Sequence, residues 1–163
     1  MVGITNIKVI IFSIDGYKYA IDIGYVERIL SYTQCTCIPD VFYFIEGVIT
    51  YEDEILPLIN LSKKFNLAQS ESNKDKKIIV VNRDENKFGI IVDDVYEISN
   101  ISSDLFEEVP KMLLDLSIQY IDGFLKLEED LVILINIFNL ISKDEENSMF
   151  DYINNEIMVK DIL

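Results

Sequence analysis

The sequence predicts an all-β protein made of two similar small barrels that pack together, followed by a helix. Three observations predict this fold: apolar side chains alternate with period two, turn signals separate the runs at short intervals, and two blocks of the first half recur in the second. The chain has 163 residues, half of them hydrophobic, which is enough material for a single domain spanning 1–163.

The first strands are predicted on either side of Asp15-Gly16. Residues 9–14 form an apolar run, and apolar side chains alternate with more polar ones from Tyr17 to Ile23. An Asp-Gly pair between two such runs is a strong signal for a tight hairpin. Residues 48–51 and 55–59 predict a second hairpin with an acidic tip, in which Pro57 favours an edge position or a bulge. We expect antiparallel pairing throughout.

Two blocks of the sequence are repeated. Residues 19–29 align without gaps on 88–98, and residues 47–61 align on 123–137 with five of fifteen positions identical. A duplicated unit of this size can close as a small barrel, which removes exposed strand edges. We therefore expect one subdomain at about 8–67 and a second at about 77–142, separated by a polar loop. The second copy carries about seven extra residues, and Ser102-Ser103-Asp104 predicts a short helix there.

The last segment predicts an amphipathic helix over about 148–162. Its apolar residues fall at helical spacing, and Ser148 is a candidate cap; they are Met149, Phe150, Ile153, Ile157 and Met158. We expect the helix to lie across the barrels. A free helix that binds a partner is the alternative.

Composition excludes several classes of function. The net charge is −15, which repels nucleic acid and anionic membrane surfaces, and the absence of histidine removes His-dependent catalysis and His metal sites. No apolar run is long enough to insert in a membrane and the start does not read as a signal peptide, so we expect a cytoplasmic protein. Cys35 and Cys37 are expected to be reduced structural thiols.

No cofactor motif or catalytic residue set is apparent. The acidic triplets 52–54 and 128–130 are expected to be solvated hairpin tips, although a metal-assisted hydrolase using these carboxylates is an alternative. We expect Asn60 and Asn136 to act in turns or as helix caps. Aromatic residues on the first strands and the following segment are expected in the core, namely Tyr17, Tyr19, Phe42, Tyr43 and Phe44.

Several blocks resemble the CheW-like domain family of chemotaxis coupling proteins over about residues 8–142; they are 19–26, 38–61, 88–93, 120–123 and 133–137. The resemblance implies two SH3-like five-stranded barrels and a non-enzymatic adaptor without cofactor or metal. It implies two partners: the cytoplasmic tip of a chemoreceptor, and the regulatory domain of the histidine kinase CheA. It also implies recruitment to receptor arrays at the inner face of the membrane. We expect a monomer in isolation.

The resemblance also implies site residues. The receptor groove would include Val26, Arg28, Ile29, Gly47 and Glu52. The kinase face would lie on the second barrel and include Phe124, Leu125 and Leu127, for which the alternative is a place in the core. The family usually has Glu at the position of Arg28, and Arg followed by Gly at Glu52-Asp53. We expect Arg28 and Glu52 to pair with exchanged polarity, and a diverged scaffold outside classical chemotaxis is the alternative function.

Overall fold

The computed structural model describes residues 6–39, 42–67, 74–114 and 119–162, without the side chains of 152 and 154–162. The strands in these ranges are β1 Asn6–Ile14, β2 Tyr17–Asp22, β3 Val26–Ser31, β4 Ile45–Tyr51, β5 Glu54–Asn60, β6 Lys77–Arg83, β7 Asn86–Val92, β8 Asp94–Ser102, β9 Phe106–Glu107, β10 Ile121–Leu127 and β11 Asp130–Ile135. The α-helices are α1 Leu61–Lys64, α2 Lys111–Leu114, α3 Ile137–Leu140 and α4 Lys143–Ile162. Single 3-10 turns lie at Ile23–Tyr25 and Ser103–Leu105.

The strands form two sheets, which confirms the all-β fold. One has the order β8-β1-β2-β11-β10-β9 and the other has the order β3-β6-β7-β5-β4. We call them the second and the first barrel, respectively. Neighbouring strands are antiparallel except for β2–β11 and β5–β7, which run parallel, so the expectation of antiparallel pairing throughout is wrong at these two places. The second barrel has six strands because the two-residue β9 is added at its edge.

The pairing registers confirm the internal repeat. Ile29 lies opposite Ile79 in the first barrel, and Ile98 lies opposite Ile10 in the second. Both β4 and β10 carry a register shift at the residue before glycine, Gly47 and Gly123. The two sheets therefore share strand order, register and irregularities, as expected for two copies of one unit.

Each sheet takes strands from both halves of the chain. The first hairpin, β1–β2, pairs with β8 and β11, whereas the later hairpin β6–β7 pairs with β3 and β5. The two copies have thus exchanged their opening hairpins. The expected subdomains at 8–67 and 77–142 consequently do not coincide with the sheets, and most of the polar loop between them lies outside the described residues.

Period-two alternation supplies three cores. Ile10 and Phe12 point into a large cluster shared between the sheets, while Val9 and Ile11 point into the interior of the second barrel. The interior of the first barrel is formed by Tyr51, Leu56, Leu58, Ile78, Val80 and Ile91. Because strands such as β1 and β6 are covered on both faces, the two barrels pack as one body.

The hairpin turns follow the expected chemistry. Asp15 and Gly16 both have positive φ, at 52° and 82°, and so do Glu52 and Asp53, at 48° and 65°. These are the angles that a two-residue turn between right-twisted strands requires. Pro57 lies in an interior strand, but the parallel pairing of β5 with β7 starts only at Leu58, so the missing N–H costs no ladder bond to β7.

Two further expectations need correction. Tyr19 and Phe44 are buried as expected, but Tyr17, Phe42 and Tyr43 are exposed. Helix α4 begins at Lys143, earlier than the expected start at about 148. Its cap is Ser142, whose hydroxyl accepts from the Glu145 N–H while the Glu145 carboxylate accepts from the Ser142 N–H. This reciprocal pair is a capping box.

Helix α4 packs on the shared core as expected. Met149 and Ile153 are buried there, and the carboxylate of Glu146 lies 2.8 Å from the guanidinium of Arg83 on β6. The side chains of Ile157 and Met158 lie outside the described residues. Within the described part, the helix is therefore fixed to the barrels by its first three turns.

Candidate docking surfaces

The mouth of the first barrel, between β3 and the β4–β5 turn, holds the expected charge pair. Arg28 Nη2 lies 3.5 Å from Glu52 Oε1, and both side chains are about half exposed, at 56% and 51%. Glu52 lies in the β4–β5 turn with a positive φ of 48°. An exposed pair at this distance contributes little to folding, about 0.2–1 kcal/mol. Its charges are instead available to set the field that a partner meets.

The ring of Tyr51 packs against the Arg28 side of this pair. Its ring is almost fully buried, the Arg28 guanidinium lies 5.8 Å from the ring centroid, and its hydroxyl donates to Glu27 Oε2 at 2.7 Å. Lys87 Nζ lies 3.1 Å from the other carboxylate oxygen of Glu27. The hydrogen bonds from Tyr51 and Lys87 lower the pKa of Glu27, and the bond to this carboxylate raises the pKa of Tyr51. The network fixes the ring over which Arg28 lies.

The other groove candidates differ in exposure. Ile29 is 40% exposed on β3 and therefore accessible, whereas Val26 is half-buried against the shared core. Gly47 is buried where a Cβ atom would lie 2.4 Å from the Thr36 carbonyl oxygen. Glycine is required there because the backbones of β4 and the preceding loop are in contact. Gly47 thus positions the groove and offers no side chain to a partner.

The three kinase-face candidates do not share one environment. Leu125 has no exposed surface and belongs to the interior core of the second barrel, and half-buried Leu127 packs against the same core. Phe124, which precedes Leu125 on β10, is half-buried on the opposite face. The core alternative is therefore correct for Leu125. Phe124 and Leu127 keep accessible surface, on opposite faces of the strand.

Three residues of the first mouth, Glu27, Tyr51 and Lys87, were not predicted from the sequence. They come from β3, β4 and β7, which are separated along the chain and meet only when the sheet closes. The internal repeat gave one signal for Lys87, because a lysine, Lys18, stands at the equivalent position of the other copy. Lys18 also makes an ion pair, with Asp130 at 2.6 Å.

The two asparagines perform the same task in each copy. Asn60 Oδ1 accepts from the Lys63 N–H at the start of α1, and Asn136 Oδ1 accepts from the Phe138 N–H at the start of α3. This confirms both as helix caps. Their amide nitrogens donate to Glu46 and Asp122, which are themselves equivalent positions. The caps fix where β5 and β11 end.

The carboxylates of the acidic tips are exposed, and some pair with nearby cations. Within the described ranges, no group of three or more Cys, Asp or Glu side chains is arranged to hold a metal ion. Both Cys35 and Cys37 are free thiols, and burial raises the pKa of Cys35. None of the helices, over the residues searched, has the length and apolar character needed to cross a membrane.

Two packed barrels with a charged, accessible mouth and a capped helix define a protein-docking module of the scaffold class. The family model described as "CheW-like domain" matches residues 8–145, so the chain belongs to the CheW-like domain family. A chemotaxis scaffold role follows from this membership.

Individual relatives agree. The chemotaxis protein CheW of Klebsiella aerogenes is 31% identical over 136 residues, which are 83% of this chain and 82% of that protein. CheW of Bacillus subtilis is 29% identical over 88% of this chain and 92% of its own. The crystal structure of the scaffolding protein TtCheW from Thermoanaerobacter tengcongensis superposes with a TM-score of 0.75, at 28% identity, covering 85% of this chain and 94% of that one.

Proposed function

We propose that this chain is a non-enzymatic adaptor that couples the cytoplasmic tip of a chemoreceptor to the regulatory domain of the histidine kinase CheA. The proposal places it in the cytoplasm, at receptor arrays. The receptor would dock at the first-barrel mouth, where Arg28, Ile29 and Glu52 are exposed. The kinase domain would dock on the second barrel, where Phe124 keeps accessible surface. The family membership of the chain supports the adaptor role.

The Arg28–Glu52 pair is the observation that carries the receptor assignment. In the family pattern the polarity is the reverse, with the acid on the first strand of the groove and the base at the turn. Here the cation is on β3 and the carboxylate is at the tip of the β4–β5 hairpin, 3.5 Å apart. Since charges across an interface set specificity more than total affinity, this adaptor would select a receptor tip whose docking charges are also exchanged.

The test is binding of a receptor-tip fragment with the family's usual charges, measured by calorimetry. We expect weak binding to the wild type and about tenfold tighter binding to the double variant Arg28→Glu with Glu52→Arg, equivalent to about 1.4 kcal/mol. An unchanged affinity in the double variant would contradict the assignment.

The second barrel offers a matched control for the exchange. Lys126 and Glu107 form an exposed pair of similar geometry, with Lys126 Nζ 2.9 Å from Glu107 Oε1. Exchanging this pair, Lys126→Glu with Glu107→Lys, alters the same number of charges at a distance from the proposed groove. Receptor affinity should not change. A gain equal to that of the first exchange would show that the effect is not local.

A scaffold outside classical chemotaxis is the second candidate, and the exchanged polarity of Arg28 and Glu52 favours it. The two functions differ in their kinase. A pull-down with a CheA regulatory domain should recover a complex if the adaptor function is correct, and Phe124→Asp should weaken that complex. Absence of any complex with the wild type favours the diverged scaffold.

A further inference from the structure

The mouth of the second barrel is open where the mouth of the first is filled. A cleft of about 450 Å³ lies between β8 and the β10–β11 hairpin. Its wall includes Leu127, which is equivalent to Tyr51 by the register of the two hairpins. Tyr51 is 5% exposed and fills the first mouth with its ring. A leucine at the same position is shorter and leaves the corresponding space open.

The charges at the two mouths also differ. The equivalents of Arg28 and Glu52 are Glu97 and Glu128, and both of these carboxylates line the cleft. Where the first barrel has a cation beside a carboxylate, the second has two carboxylates. Neither makes an ion pair with another described residue. The lysines of the cleft are already paired, Lys18 with Asp130 at 2.6 Å and Lys126 with Glu107 at 2.9 Å.

The floor of the cleft is apolar. Ile11, Ile101 and Val132 of the second-barrel core form it, and Leu105 and Leu127 add partly buried surface. An apolar floor with a few polar groups at the rim is typical of a binding cleft. The rim also holds the half-exposed ring of Tyr96, whose centroid lies 5.2 Å from Lys18 Nζ. The apolar floor and the two carboxylates without an ion pair, Glu97 and Glu128, favour a ligand that is apolar at its tip and cationic beside it.

We infer that this cleft docks a segment of a partner protein that inserts an aromatic ring with an arginine next to it. The first barrel shows why these groups fit, because Tyr51 and Arg28 supply the same ring and cation from within the chain. The ring would cover the floor, and the guanidinium would pair with Glu97 and Glu128, whose carboxylates suit its planar donors. This surface is distinct from the receptor groove, but it includes Leu127 of the proposed kinase face. The inference therefore rests on the proposed function and deepens it by naming the chemistry of the docking segment.

The probe is a blocked pentapeptide of sequence Ser-Tyr-Ser-Arg-Ser. In an extended segment the tyrosine and arginine lie on the same face, as the inference requires. Titration followed by amide NMR should give saturable shifts in β8 and β10, in the millimolar range expected for a fragment. Two control peptides, with the arginine replaced by glutamate or the tyrosine by alanine, should bind at least about fivefold more weakly.

Variants of the protein test the same cleft. Leu127→Tyr copies the first barrel and fills the opening, so it should weaken the peptide at least about tenfold. Glu129→Gln is the matched control, since this exposed residue of the same tip does not line the cleft, and it should bind as the wild type does. If Leu127→Tyr does not fold, as judged by its amide spectrum, Glu97→Gln with Glu128→Gln replaces it, with an expected loss of about fivefold.

Absence of saturable shifts at the cleft would overturn the inference. The inference would also be overturned if the peptide bound Leu127→Tyr, or Glu97→Gln with Glu128→Gln, as tightly as the wild type. Equal affinity of the wild type for the arginine peptide and the glutamate peptide would contradict it too. Neither receptor fragment nor kinase is present in these titrations. A failure of the adaptor function therefore leaves the outcome unchanged, and the two conclusions can fail separately.

Discussion

The guanidinium of Arg83 lies 2.8 Å from the carboxylate of Glu146, a side chain with no exposed surface. Arg83 Nη1 also donates to the carbonyl oxygen of Ile141, and Asn86 Nδ2 donates to the other carboxylate oxygen of Glu146. The pair joins the end of β6 to the first turn of α4. It is a buried polar link between the first barrel and the terminal helix, beside the Lys64–Glu145 pair at 3.5 Å.

Removing one partner should be far more costly than removing both. Arg83→Met leaves the buried Glu146 carboxylate with only the exposed Lys143 ammonium, at 3.8 Å, as a cation. We expect a loss of about 3–5 kcal/mol in the free energy of unfolding. The double variant Arg83→Met with Glu146→Met should recover most of that loss, because no uncompensated charge remains. Urea denaturation of the two single variants and the double variant measures this.

The exposed Lys126–Glu107 pair is the control, and Lys126→Met should cost at most about 1 kcal/mol. Equal losses at the two sites, or additive losses in the Arg83 and Glu146 cycle, would contradict a coupled buried pair.

The repeat, the hairpins and the asparagine caps were predictable because each is encoded in a short stretch of sequence. The exchange of opening hairpins was not predictable, since period-two alternation shows which face of a strand is buried but not which strand lies beside it. Glu146 was missed for a related reason. It belongs to the acidic run 144–146, which resembles a solvated helix start. Its burial is favourable only because Arg83, from β6, packs against it in the folded chain.

The residues of the first-barrel mouth likewise include some that were predictable from the sequence and some that were not. The exchanged polarity at Arg28 and Glu52 was visible once the family pattern was known, and their pairing was expected. Tyr51 and Glu27 were missed because their hydrogen bond joins β3 to β4, the two edges of the first sheet, and it forms only when the sheet curves into a barrel.

Glu27 should titrate below an ordinary glutamate, because its carboxylate accepts from Tyr51 and pairs with Lys87. A folded pKa below the unfolded one means that this contribution to stability is present above the unfolded pKa and lost as the pH falls through the folded pKa. Tyr51→Phe removes the Tyr51 hydrogen bond, which is the larger cause of this lowering. We expect carboxyl-detected NMR to show the Glu27 pKa rising in this variant, and the stability difference from wild type to shrink in acid.

If the Glu27 midpoint does not move in Tyr51→Phe, the Tyr51 hydroxyl does not bond to it in solution.

The two cap asparagines should respond differently to substitution. Either Asn→Ala change removes the cap bond, at about 1 kcal/mol. Both amides also donate to a carboxylate, Glu46 or Asp122, but Asn60 should cost more than Asn136 because Asn60 is buried, whereas Asn136 is half-exposed. Thermal unfolding of the two alanine variants gives the comparison.

Asn60→Asp should also destabilise the protein, although it keeps the cap acceptor, because it places a second carboxylate beside Glu46. Wild-type stability in this variant would contradict the geometry.

The glycines at the two register shifts should not tolerate a side chain. In Gly47→Ala the new Cβ would lie 2.4 Å from the Thr36 carbonyl oxygen and 2.8 Å from Cys35 Sγ, and in Gly123→Ala it would lie 2.5 Å from the Phe106 ring and 2.7 Å from the Glu107 carbonyl oxygen. Both contacts involve backbone atoms, so relief requires the strands to separate. We expect each change to cost about 1–3 kcal/mol, measured by urea denaturation.

Gly24→Ala is the matched control for these two changes. Its Cβ would lie 3.2 Å from Asp22 Oδ1, the end of a side chain that can move, so the loss should be smaller than at either register shift. Gly47→Ala should weaken receptor binding only as far as it disturbs the fold, because residue 47 is buried and offers no side chain to a partner. A variant with wild-type stability but lost receptor binding would show instead that the backbone at Gly47 is itself part of the docking surface.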